Sequence, residues 1–174
     1  MNNAEEPLPA GRATRAALAG VRIVVALMWI QNLNWKIPPD FGRSTNSNLY
    51  SFVNDAVIHP VVPAYSLVVE HLVLPNFVAF GYLTLLVEFG LGAFLLAGLL
   101  TRAWALIGIG QSLAITLSVL NTPNEWHWSY FLMLTAHVVL LATAAGRAGG
   151  LDGILRPRWR QSGHRLARLA LIAS

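Results

Sequence analysis

Four polar side chains lie deep inside strongly apolar stretches of the sequence: Arg22, Glu88, Gln111 and His137. An ionisable group in a bilayer core costs about 2.5–3.5 kcal/mol on insertion scales, so each one needs a partner or a task. Glutamate and histidine can carry protons, and a glutamine amide can donate to a ligand carbonyl. These residues are therefore the first candidates for chemistry inside a membrane.

The spacing of these residues predicts that they share one layer. At 1.5 Å per residue from the inner end of each predicted span, Arg22 lies at roughly 9 Å and Gln111 at roughly 12 Å. On the same scale His137 lies at roughly 13 Å and Glu88 at roughly 18 Å. We therefore expect a polar layer in the middle of a helical bundle.

Helical periodicity places further residues on the same faces. Trp29 and Lys36 follow Arg22 at intervals of seven, which puts all three on one stripe of the first helix. Tyr130 shares a face with His137. Small neighbours of Glu88 on its helix face allow another helix to approach closely, namely Gly81, Thr84 and Gly92. Gln111 shares its face with Gly108, Ser112 and Ile115.

Two interpretations of this layer remain open. In the structural one, Arg22 and Glu88 form a buried ion pair that fixes helix register, and Gln111 and His137 bond to each other. In the functional one, the layer binds a small polar head group with an apolar tail, such as a quinone, which needs donors to its carbonyls and a proton route.

Haem and metal sites are not indicated. A bis-histidine haem needs two axial histidines at matched depth, and only His137 lies deep in a predicted span. Glu70 and His71 are adjacent, so on a helix they point about 100° apart rather than forming the i, i+3 or i, i+4 pair that favours chelation. We expect no haem, iron–sulfur cluster or metal.

Composition places these residues in lipid. Of 174 residues, 55% are hydrophobic and 11% are charged, against roughly 25% charged in a soluble domain. A small soluble globule needs more polar side chains than this to cover its surface. The sequence has no cysteine, which excludes disulfides, thiolate catalysis and cysteine-ligated clusters. In a chain embedded in lipid, the net charge of +4 indicates contact with an anionic membrane surface rather than with nucleic acid.

The predicted fold is an all-α integral membrane protein, a four-transmembrane-helix bundle with short amphipathic outer helices between spans 1 and 2. The expected segments are a cytoplasmic N-terminal tail (1–15), a four-helix membrane domain (16–146) and a basic amphipathic C-terminal tail (147–174) on the anionic inner leaflet. A disordered, solvated C-terminal tail is the alternative. The expected spans are 16–35, 76–100, 103–120 and 128–145, with an outer interfacial segment over 41–75.

Charge asymmetry orients this bundle. With both termini inside, the outer loops hold only Lys36 and Arg43, and the positive-inside rule therefore predicts cytoplasmic N and C termini. The inner side receives nine arginines: Arg12, Arg15, Arg102, Arg147, Arg156, Arg158, Arg160, Arg165 and Arg168.

The order of several short motifs resembles the DoxX/DoxD family. The first half carries Val21-Arg22-Ile23, Trp29, Lys36, Glu88, Gly90, Gly92 and Ala97-Gly98-Leu99-Leu100-Thr101-Arg102. The second half carries Glu125-Trp126-His127-Trp128-Ser129-Tyr130, Gly146-Arg147 and Gly150-Leu151-Asp152. This second set is similar to the DoxD branch, the large membrane subunit of thiosulfate:quinone oxidoreductase. The resemblance covers roughly residues 12–155.

The resemblance implies a protein of the prokaryotic cytoplasmic membrane that passes electrons from thiosulfate or another donor to menaquinone or ubiquinone. It also implies a second protein subunit, with a homo-oligomer as the alternative. The candidate quinone-binding residues are Arg22, Trp29, Glu88, Gln111, Tyr130 and His137. The residues expected to be structural are Lys36, Arg102, Arg147 and Asp152. The competing function is a non-catalytic anchor or assembly subunit of an oxidoreductase or respiratory complex.

Overall fold

The computed structural model describes residues 11–174, and this part of the chain forms eight α-helices and no strand. The all-α prediction is thus confirmed for the described residues, whereas most of the predicted N-terminal tail lies outside them. The helices are α1 (Arg12–Asn32), α2 (Asn48–Ile58), α3 (Pro63–Val68), α4 (Phe77–Ala97), α5 (Thr101–Val119), α6 (His127–Thr143), α7 (Leu151–Gln161) and α8 (Arg165–Ala173).

Three helices are long and apolar enough to cross a membrane: α1 and α4 with 21 residues each, and α5 with 19. Each of the three overlaps a predicted span, although α1 begins and ends a few residues before the predicted 16–35. The fourth predicted span corresponds to α6, which has 17 residues and is therefore about 26 Å long, somewhat short of a 30 Å hydrocarbon core. That α6 also crosses the membrane stays a prediction.

Antiparallel neighbours build the bundle. Helix α1 packs along α4, α5 packs along α6, and α4 also contacts α5. Their shared core contains Ala26, Leu91, Ala105 and Leu140, none of which is exposed. Large side chains on the opposite faces remain uncovered, as lipid-facing surfaces require; these include Met28, Leu86, Phe89, Leu106 and Phe131.

The segment between α1 and α4 folds onto one end of this bundle, which we call the cap end. Helix α2 packs on α5, and α3 continues into a π-helical turn over Val69–Val73. The Tyr65 hydroxyl donates to the carbonyl oxygen of Ala114 on α5, at 3.1 Å. The Phe41 ring is fully buried, against Gly81 of α4. The predicted short outer helices are therefore present, and they pack directly on the bundle.

A tight turn leads from the first helix to this cap. The Asp40 carboxylate accepts hydrogen bonds from the backbone N–H groups of Gly42, at 2.7 Å, and Ser44, at 3.0 Å. Hydrogen bonds from Ser44 and Gly42 lower the pKa of Asp40 because they stabilise its charged form. Gly42 has a φ of +86°, and a Cβ there would overlap the backbone of Ser47, so a glycine is required.

The opposite end of the bundle, which we call the basic end, holds α7 and α8. Helix α8 packs against α5 and α7. Arg147 and Arg156 both donate to the carbonyl oxygen of Ser174, each at 3.0 Å, and Arg156 also bonds to that of Leu171 at 2.7 Å. The C-terminal segment thus forms two helices tied to the bundle, in contrast to the disordered alternative.

Candidate functional site

A fully buried ion pair joins the segment that follows α1 to the middle of α4. Lys36 Nζ lies 2.7 Å from Glu88 Oε2 and also donates to the backbone oxygen of Asn32, at 2.8 Å. The side chains of Lys36 and Glu88 are only 2% and 1% exposed. The prediction that Arg22 would be the partner of Glu88 is wrong. Lys36, expected to be only structural, occupies that position.

The second oxygen of Glu88 faces α5. Gln111 Nε2 donates to Glu88 Oε1 across 3.3 Å, a long hydrogen bond for this pair of groups. Gln111 is only half-buried. Glu88 therefore connects three parts of the chain, and the amide of Gln111 is the most loosely held member of the cluster that we call the ion-pair cluster (Lys36, Glu88 and Gln111).

A second polar contact joins α1 to α6. The Trp29 indole Nε1 donates to His137 Nε2 at 2.9 Å, while His137 Nδ1 lies 2.7 Å from the carbonyl oxygen of Met133. Because Nε2 accepts, Nδ1 must carry the proton, so this imidazole is neutral. The predicted bond between Gln111 and His137 is not formed.

A glycine makes room for this histidine. A Cβ on Gly108 of α5 would overlap the His137 ring, and a small residue there lets the two helices approach closely. A Cβ on Gly90 of α4 would likewise overlap the ring of Trp104. That ring stacks on Phe94, with ring centroids 4.7 Å apart. The small residues found in the sequence therefore position large aromatic side chains around the polar groups.

Arg22 lies at the basic end, away from Glu88. Its guanidinium donates to the carbonyl oxygens of Leu95 and Leu96, the latter at 2.8 Å, and to that of Gly149 at 3.4 Å. The last carbonyls of a helix have no partner within it, so Arg22 caps the end of α4. The expected single polar layer is thus wrong for Arg22, because α1 extends past the end of α4.

Asp152 performs the complementary task at the start of α5. Its two carboxylate oxygens accept from the backbone N–H groups of Leu100, at 2.7 Å, and Thr101, at 2.9 Å. Its own N–H donates to the carbonyl oxygen of Gly98, at 2.8 Å. A carboxylate satisfies the free N–H groups of a helix start and interacts favourably with the helix dipole. This geometry fits the structural role expected for Asp152.

The remaining predicted residues lie towards the two ends. Tyr130, near the start of α6, is buried and donates its hydroxyl to Glu125 Oε2. Arg102 is half-buried in the first turn of α5, and Arg147 bonds to Ser174, as described above. Within residues 11–174 no group of three or more histidines and carboxylates could hold a metal ion.

Ser112 is a residue that the candidate set omitted. It is fully buried, and its hydroxyl makes no hydrogen bond within the part of the chain that the structure describes. It follows Gln111 in the sequence and lies one helical turn after Gly108, where α5 meets His137. Its position on the face of Gly108 and Gln111 was visible in the sequence, but its lack of a partner was not.

Comparisons with known proteins identify one family. The family model described as "TQO small subunit DoxD" matches residues 18–172. That description names a small subunit, whereas the resemblance in the sequence implied the large one. No curated protein and no solved structure that was compared matches the chain.

Proposed function

The chain belongs to the DoxD family, and from this we propose that it is a membrane subunit of a thiosulfate:quinone oxidoreductase that binds the quinone inside its helical bundle. The observation that carries the quinone site is the ion-pair cluster. Three polar side chains meet between apolar helices, two of them fully buried. Such groups are costly in lipid and usually mark a functional site.

We place the protein in the prokaryotic cytoplasmic membrane with four spans, α6 being the fourth, and with the basic end facing the cytoplasm. Arginines at the basic end support this orientation, since only Lys36 and Arg43 lie towards the cap end. Helix α6 ends at a buried turn that packs on Thr101, the first residue of α5. The end of α4, the start of α5 and the end of α6 therefore lie together at the basic end.

The residues present fit a quinone head group. Its two carbonyl oxygens need hydrogen-bond donors, and Gln111 offers an amide that is bound only loosely to Glu88. Ser112 offers a buried hydroxyl with no partner in the described chain, and a buried donor without a partner carries an energetic penalty. Gln111 is only half-buried, so an apolar tail would leave the bundle on this side of the cluster.

The chain's own groups would then hold the head group and manage protons. When bound, a quinone accepts two electrons and two protons. Gln111 and Ser112 would donate to its carbonyl oxygens, and the Glu88 carboxyl could hold a proton at Oε1, the oxygen that faces Gln111. Lys36 keeps Glu88 in position through Oε2. The neutral His137, which is hydrogen-bonded to Trp29 and to the carbonyl oxygen of Met133, would help to enclose the head group without donating to it.

A second function, a non-catalytic anchor for another subunit, is favoured by a different observation. Lys36 and Glu88 satisfy each other, and so do Trp29 and His137, as buried polar groups do when their role is only to hold helices together. The family description names one subunit of a complex, which implies a partner protein. In this case the complex would remain active after the ion-pair cluster is altered.

Quinone binding to the purified protein tests the site. We expect the native chain to bind a short-chain menaquinone or ubiquinone analogue, measured by equilibrium titration in detergent. Gln111→Leu removes a donor to the quinone, and Glu88→Gln removes the carboxylate that orients this donor. Each should weaken binding about tenfold, a loss of about 1.4 kcal/mol. The matched control is Glu70→Gln, because Glu70 is exposed in the cap and its removal should leave binding unchanged.

The outcomes separate the two functions. No binding by the native protein would refute the quinone site. Binding unchanged in both Glu88→Gln and Gln111→Leu would move the site away from the ion-pair cluster. If, in addition, a co-isolated oxidoreductase partner kept full activity with the Glu88→Gln variant, the anchor function would be supported instead.

A further inference from the structure

The outward face of α8 is apolar and uncovered. Leu166 is 75% exposed, Leu169 is 62% exposed and Ile172 is 70% exposed, whereas Ala167 on the opposite side is only 8% exposed. At spacings of three residues, the three exposed side chains lie on one side of the helix. A helix that buries its small residue and exposes its large ones must have another apolar environment available.

Arginines interrupt this apolar face. Arg165 lies one turn before Leu169, and Arg168 lies one turn before Ile172, so each arginine neighbours an exposed apolar side chain. Both arginines are exposed. Exposed Arg158 and Arg160 add further positive charge on α7. From residue 153 to residue 174 the sequence contains no aspartate or glutamate, so the side chains of this segment carry a net positive charge.

Contacts with α5 and α7 fix the position of α8 and of its apolar face. Helix α8 contacts α5 near the basic end, and Arg156 bonds to the carbonyl oxygens of Leu171 and Ser174. The neighbouring Asp152 ties α7 to the first turn of α5. The uncovered side of α8 therefore lies at the basic end, where the apolar helices of the bundle end. Lipid headgroups contact a membrane protein at this depth.

We propose that this side of α8, formed by Leu166, Leu169, Ile172, Arg165 and Arg168, binds anionic phospholipids of the cytoplasmic leaflet. Leucine and isoleucine side chains would enter the acyl boundary, while the arginines extend to the phosphate groups. Charge complementarity selects an anionic lipid over a zwitterionic one. The proposal rests on the membrane orientation above but not on quinone binding, so the two can fail separately.

Site-directed labelling of the full-length protein tests where this face lies. Because the native sequence lacks cysteine, Leu169→Cys provides one site for a spin label, and Gln161→Cys at the exposed end of α7 provides the matched control. In nanodiscs of phosphatidylcholine with phosphatidylglycerol, the label at 169 should be accessible to oxygen and shielded from a water-soluble nickel chelate. The label at 161 should be accessible to the chelate.

The arginines are tested by titrating phosphatidylglycerol into the detergent-solubilised protein and following its thermal stability. Arg165→Gln and Arg168→Gln should each lower the apparent lipid affinity about fivefold, the effect of roughly one surface arginine. Arg43→Gln, an exposed arginine at the cap end, should leave it unchanged. Added salt should weaken binding to the native protein.

Three results would overturn the proposal. One is a label at 169 that stays accessible to the nickel chelate in the anionic nanodiscs. Another is a lipid affinity that is the same in native, Arg165→Gln and Arg168→Gln proteins. The third is protection of the label that appears only when another protein subunit is added, which would assign this side of α8 to a protein partner.

Discussion

Replacing Glu88 by glutamine should lower the free energy of unfolding by about 3–5 kcal/mol, the usual cost of removing one partner of a buried ion pair. The reason is that Lys36, 2.7 Å away and only 2% exposed, would keep a buried charge with no counter-charge. Titration of the protein in mixed micelles with a denaturing detergent, followed by circular dichroism, measures this loss.

The double variant Lys36→Met, Glu88→Gln is the decisive control. The double variant leaves no uncompensated charge in the bundle, because methionine and glutamine are both neutral, and the uncompensated charge is what makes each single variant costly. We therefore expect the double variant to recover most of the stability lost by either single variant. If the two single losses simply added, the residues would not be coupled, and the ion pair would be refuted.

Replacing Asp152 by alanine should cost about 3 kcal/mol. The carboxylate accepts two backbone hydrogen bonds at the start of α5, and hydrogen bonds to a charged group contribute about 1.5–3 kcal/mol each. Asp152 has no exposed surface, so water cannot readily replace it. The same detergent titration measures the loss.

A local measurement separates this role from a general loss of packing. Hydrogen exchange should accelerate at the amides of Leu100 and Thr101, the two groups that Asp152 satisfies. Glu70→Ala, which removes an exposed carboxylate of the cap, should leave both stability and exchange unchanged. A loss below about 1 kcal/mol in Asp152→Ala, with unchanged exchange, would contradict the capping role, because surface substitutions stay within about 0.5 kcal/mol.

Helix positions could be predicted well from the sequence. Expected spans at 76–100, 103–120 and 128–145 correspond to helices Phe77–Ala97, Thr101–Val119 and His127–Thr143. Long apolar runs between polar turns leave little freedom in where a helix begins and ends, since every backbone group in lipid must be hydrogen-bonded within the helix. The small residues that bring the helices together could also be identified from their helical spacing.

The partner of Glu88 could not be predicted in the same way. Helical periodicity predicts that Arg22 and Lys36 share one stripe of the first helix, but α1 ends at Asn32 and Lys36 lies beyond it. Periodicity therefore does not apply to the position of Lys36. Only the antiparallel packing of α1 on α4 brings Lys36 to Glu88 and Arg22 to Leu95.

The unpaired state of the Ser112 hydroxyl within residues 11–174 could not be predicted from the sequence either, because it depends on tertiary structure. Serine in a helix often bonds to the carbonyl four residues earlier, as Ser118 does with Ala114, at 2.9 Å. Ser112 makes no such bond in the described chain. The sequence does not distinguish these two serines, because the difference lies in the orientation of the hydroxyl within the folded bundle.

Photolabelling with an azidoquinone tests most directly whether the quinone binds beside Glu88, Gln111 and Ser112. The purified protein in nanodiscs would be irradiated with the reagent, digested and mapped by mass spectrometry, with excess unlabelled quinone as competitor. We predict labelling of the α5 segment from Gln111 to Ile115 that the competitor abolishes. Labelling confined to lipid-facing side chains such as Leu106 and Phe131, and unaffected by the competitor, would contradict a quinone site in this protein.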